Sequence, residues 1–99
     1  MSTLPSPLNV SGKVVAYFTA SFCGPCQHIK PKFEEITQRY KNKIQFFKFE
    51  LSDHQELADH LQVHNVPTFF FIQDGHILEQ FSGANEARLR STVAKLSAL

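Results

Sequence analysis

Two short segments, KVVAYFT at residues 13–19 and IQFFKFEL at residues 44–51, carry apolar side chains toward both faces, with Lys48 and Glu50 as the charged interruptions of the second. A strand of this kind has no side to turn to water, so each is expected inside a sheet covered on both faces. Between them Ile29, Phe33, Ile36 and Tyr40 recur at helical spacing, which predicts an amphipathic helix from Gly24 to about Lys41 that continues past Pro31. Strand, helix and strand in immediate succession form a crossover, and a crossover joins parallel strands. Both strands are expected to be interior ones.

The remainder adds a helix, a hairpin and a helix. Ser52 with Gln55, or Asp53 with Glu56, offers a capping box for a helix that carries Leu57, Ala58 and Leu61 and ends near Val63. PTFFFIQ and HILEQF flank Asp74 and Gly75, the pair most suited to a two-residue hairpin because both central positions take positive φ. After SGAN, Leu89, Val93 and Leu96 mark a last amphipathic helix with Asn85 as its N-cap. The order β-α-β-α-β-β-α predicts an α/β fold: a mixed four-stranded sheet, parallel pair plus antiparallel hairpin, between helices. At 99 residues the chain supports one domain, with residues 1–12 as an irregular lead-in and residues 13–99 as the folded unit.

Charge narrows the function classes. A net charge of +1 with scattered lysines and arginines supplies no basic stripe for nucleic acid and no polybasic membrane anchor. No apolar run approaches the roughly 20 residues of a spanning helix. The opening MSTLPSPLNVSGK has neither a basic start nor an apolar signal core, so the expected location is the cytoplasm. There thiols are kept reduced, and the only two cysteines, Cys23 and Cys26, point to redox cycling or metal binding before structural stapling.

CGPC alone serves several chemistries. Its place decides between them: Cys23 follows the first strand and opens the first helix, where unpaired backbone amides and the helix dipole favour a thiolate. Cys26, one turn further in, is positioned to resolve a mixed disulfide. Zinc is the rival. His60 and His64 stand at helical i,i+4 spacing, but residues 27–59 separate them from the cysteines, far more than the roughly 12–15 of a zinc finger. His28, His54 and His76 read as solvated, and no metal or bound cofactor is expected.

VVAYFTASFCGPCQHIKPKFEEI, NVPTFFFIQDG and FSGAN together resemble the thioredoxin family, in register from about Lys13 to the C-terminus. The resemblance implies a thioredoxin-like fold with Cys23 as nucleophile and Cys26 as resolving thiol, and with Gly24 and Pro25 shaping the turn between them. It also implies a cis-Pro67 loop in which Val66, Pro67, Thr68 and, across the rim, Gly83 meet an extended stretch of substrate. Three departures stand out. The family's initial strand and helix are truncated or absent, which would cost the sheet an edge strand. Phe22 replaces the family's Trp before the first cysteine. Tyr17 replaces a buried Asp that serves the resolving cysteine, and Lys48 stands where that Asp's usual partner is found. A tyrosine, with a reference pKa of about 10, is a poor base at neutral pH.

The expected function is a thiol-disulfide oxidoreductase that reduces disulfide-containing client proteins and is recharged by a thioredoxin-reductase-like partner. The alternative is a thioredoxin-like binding or regulatory module whose turnover is slow because Tyr17 and Phe22 replace the Asp and Trp.

Overall fold

In the computed structural model, which describes residues 4–99, β1 (Lys13–Thr19) is buried on both faces from Val14 to Thr19. Alternation sends Val15 and Tyr17 into one apolar cluster and Val14, Ala16 and Phe18 into another. α1 (Gly24–Tyr40) and α3 (Glu86–Ala98) close the first, with Ile29, Phe33 and Ile36 from one and Leu89, Val93 and Leu96 from the other. α2 (Gln55–His60) closes the second with Ala58, joined by Leu8 from the N-terminal segment.

β2 (Gln45–Glu50), β3 (Thr68–Gln73) and β4 (His76–Ser82) complete one sheet in the order β2-β1-β3-β4. β1 pairs parallel with β2 and antiparallel with β3, and β3 with β4 forms the hairpin. Asp74 and Gly75 turn it with φ of 51° and 80°. Asp74 Oδ1 also accepts from the Gly12 N–H at 2.7 Å, which ties the turn to the chain entering β1. Asn85 caps α3 through a bond from the Arg88 N–H to its side chain at 3.0 Å. Among the described residues no helix is long and apolar enough to cross a membrane.

Two expectations are corrected. β2 is an edge strand and not an interior one, since among the described residues it pairs with β1 alone. Its two-sided apolar pattern comes from cover above and below the sheet: Phe46 packs into one cluster, Phe47 and Phe49 into the other. Cover of that kind does not require a neighbour on each edge. The second correction concerns α2, which no capping box starts. Leu51–Asp53 form a separate 3₁₀ turn, and His54, with no side-chain cap bond, precedes the helix. α2 stops at His60, short of Val63, because Gln62 turns to a φ of 57° and the Val63 N–H closes back on the Ala58 carbonyl at 2.8 Å.

Phe69 joins the sheet to its helices, with its ring 5.0 Å from Tyr17, 5.2 Å from Phe81 and 6.2 Å from Phe33. Phe69→Ala is expected to lower unfolding stability by about 3–5 kcal/mol in urea titration, whereas Ile77→Ser on the exposed hairpin should stay within about 0.5 kcal/mol. Burial pushes the Tyr17 phenol above its ordinary 10.0, with Glu34 and Glu50 adding to the rise and the Thr19 hydroxyl opposing it. The folded chain therefore holds that proton to higher pH than the unfolded chain. Its contribution is complete below pH of about 10 and is lost as pH rises through the folded value. Denaturation midpoints above pH 10 should fall more steeply for the wild type than for Tyr17→Phe.

Candidate active site

β1 ends at Thr19, and Ala20, Ser21 and Phe22 carry the chain to the start of α1. Cys23 is the N-cap, in extended geometry at φ −110° and ψ 115°, and its Sγ accepts the Cys26 N–H at 3.1 Å. Gly24 and Pro25 begin the helix, and a proline is tolerated there because its missing N–H would have no helical partner. Both are exposed. The two cysteines are joined as a disulfide with Cα atoms 5.1 Å apart. They are not equivalent. Cys23 is partly exposed, while Cys26, inside the first turn, is 1% exposed.

The Val66–Pro67 peptide is cis, and its loop lies against the sulfurs, with the Val66 carbonyl oxygen 3.6 Å from Cys23 Sγ. Pro67 and Thr68 are buried, and Val66, half-buried, presents its carbonyl to Cys23. The Thr68 hydroxyl donates to the Asn65 carbonyl and lies 2.7 Å from the Ser82 hydroxyl, so it fixes the loop from beneath. Gly83, at a φ of 108° that a side chain disfavours, donates its N–H to the Pro67 carbonyl at 2.8 Å.

Tyr17 sits under the helix terminus, 1% exposed, with its ring against Phe33 at 4.5 Å and Phe69 at 5.0 Å. Its hydroxyl donates to Thr19 Oγ1 at 3.1 Å and lies 3.5 Å from the Cys26 carbonyl oxygen. Lys48 stands opposite it in the β1–β2 register, yet its side chain is exposed and, among the described residues, forms no ion pair. The sheet thus brings Tyr17 to the cysteines and leaves Lys48 outside.

Phe22 projects fully into solvent beside Cys23. A groove of about 460 Å³ runs from it past Cys23 to Glu50, Leu51, Gln55 and Val66. Three contacts there were not foreseen from the sequence. Glu50 accepts from both the Ser21 N–H and the Ser21 hydroxyl at 3.1 Å, and the Gln27 side chain donates to the Ser21 carbonyl at 3.1 Å. The only local signal was Glu50 sharing a strand face with Lys48. Among the described residues no three His, Cys, Asp or Glu side chains gather as metal ligands would.

The family model for thioredoxin matches residues 6–95, a span that includes both cysteines and the cis-proline loop. Horse (Equus caballus) thioredoxin is 37% identical over 97 residues, which is 96% of this chain and 91% of the relative. Human thioredoxin is 40% identical over 83 residues, covering 84% of this chain and 78% of the relative. The solved structure of Fasciola hepatica thioredoxin superposes with a TM-score of 0.82 at 38% identity, over 88% of this chain and 83% of that one. These relatives favour disulfide exchange over the redox-dependent binding module. A chain so matched, with a disulfide capping the helix that leaves its central strand, belongs to the thioredoxin family and is a protein thiol-disulfide oxidoreductase.

Proposed function

We propose that the reduced protein attacks client disulfides through Cys23 and releases them through Cys26. The observation that carries this order is the unequal placement of the two sulfurs. Cys23 Sγ reaches the groove and takes the Cys26 N–H, a donor at the positive end of α1 that favours a thiolate, while Cys26 lies buried one turn inside. In the first step the Cys23 thiolate bonds to one client sulfur, the client S–S bond breaks, and the other client sulfur leaves as a thiolate. In the second step Cys26 gives its proton to solvent, its thiolate sulfur bonds to Cys23, and the bond between Cys23 and the first client sulfur breaks, so that sulfur leaves as a thiolate. Two electrons pass from the dithiol to the client. A partner reductase of the thioredoxin-reductase kind returns them in the cytoplasm.

An extended client strand pairs with the Val66 backbone beside Cys23, with Phe22 as an apolar contact for it. The second step is the slow one. Tyr17 occupies the place beneath Cys26 where a carboxylate would accept the proton, and its phenol, pushed by burial above its ordinary 10.0, is a poor proton acceptor at neutral pH.

Cys26→Ser should accumulate mixed disulfides through Cys23 that denaturing, non-reducing gels resolve and a reductant releases. Absence of any covalent client would refute the assignment of roles. With insulin as substrate and a thioredoxin reductase as electron source, the same variant should lose essentially all turnover. Tyr17→Asp should speed single-turnover release by about tenfold or more, while Tyr17→Phe should stay within about twofold. An unchanged rate in a folded Tyr17→Asp protein would eliminate proton acceptance as the slow event.

A further inference from the structure

The groove beside Cys23 contains one charged side chain, Glu50, and nothing in it neutralises that charge. Among the described residues Glu50 forms no ion pair, and Lys48, two residues away on the same strand face, does not close on it. The carboxylate is nonetheless held in place. Oε2 accepts the Ser21 N–H and Oε1 the Ser21 hydroxyl, both at 3.1 Å, and Ser21 is tied on its other side to Gln27. An ionised carboxylate offers about four acceptor directions, so two bonds to Ser21 leave it able to accept more. The rest of the wall is mostly apolar or neutral, with Phe22 standing free in solvent and Leu51 and Val66 alongside.

A fixed, partly exposed carboxylate in a groove whose other lining is uncharged and includes Phe22, Leu51 and Val66 suits a long side chain with an apolar stem and a cationic head. We propose that this groove is a client subsite for an arginine that flanks the disulfide under attack, with Glu50 as the specificity-determining residue. Arginine fits better than lysine because its planar fork can meet both carboxylate oxygens and can lie over the Phe22 ring. The inference deepens the reading of Cys23 as the attacking sulfur and rests on it. Glu50 itself takes no part in bond exchange. It biases which client sulfur arrives.

The probe is a set of three disulfide-linked peptides that differ only in the residue next to the attacked cysteine: arginine, norleucine or glutamate. Oxidation of the pre-reduced protein is followed by thiol quenching and mass spectrometry over a range of peptide concentrations. At low salt and low peptide concentration the arginine peptide should react about fivefold faster than the glutamate peptide, with norleucine between them. The difference should lie in the concentration for half-saturation and should shrink at high salt. Glu50→Gln, whose amide oxygen still accepts from Ser21, should abolish the preference. Glu79→Gln, which removes the same charge from β4 at the far edge of the sheet, should retain it. Equal rates for the three peptides in the wild type, or a preference that survives Glu50→Gln, would overturn the subsite while leaving exchange through Cys23 intact. Failure of every peptide to oxidise the protein would overturn both.

Discussion

β1 is the constraint on which the site depends. It is paired along both edges and buried on both faces, so its register is held by two apolar clusters at once. A slip of one residue would exchange the faces of Tyr17 and Phe18 and bring each against the wrong neighbours. Because β1 is fixed, the chain leaves the sheet at Thr19 at a fixed point. α1 must then begin within a few residues to cover Val15 and Tyr17, and Cys23 becomes its cap.

The unequal exposure of the two sulfurs follows from that geometry. An N-cap side chain lies outside the helix and faces its free amides, while a residue one turn in is covered by the helix and by the strand below. The second wall of the site arrives through the same strand. β3 pairs with β1 so that Thr68 stands opposite Phe18, and this register delivers the Val66–Pro67 loop to the sulfur. Tyr17 shows a different balance. Its ring fills the space between Phe33 and Phe69, where packing favours an aromatic residue, and the same dry surroundings raise the phenol further above its ordinary 10.0. At that position packing and burial both favour an aromatic ring over a charged group.

Most of the architecture was legible because local signals agreed. The hairpin needed only Asp74 and Gly75 between two apolar runs, and α3 needed Asn85 before Leu89, Val93 and Leu96. β2 was misplaced to the interior because side-chain burial reports cover over the faces of a sheet, whereas edge position concerns backbone pairing, which side chains do not record. The start of α2 was misplaced because both capping-box candidates fall before His54, and residues 51–53 close as a tighter turn instead. The anchoring of Ser21 was invisible for a simpler reason. Glu50 reaches it only because the parallel register sets Glu50 opposite Thr19.

By itself the sequence determined that a helix begins at a cysteine directly after a buried strand, because apolar periodicity and the CGPC turn are encoded within neighbouring residues. Its family resemblance extended that to a thiol-disulfide exchange protein with Pro67 opposite the sulfurs. Tertiary structure alone decided which charged residues share the site. Lys48 and Glu50 lie on one strand face, yet Glu50 is bound into the Cys23 loop and Lys48 turns to water. The physical reason is that contacts across a sheet are set by register and by where each strand ends, and neither is written in the spacing of residues along one strand.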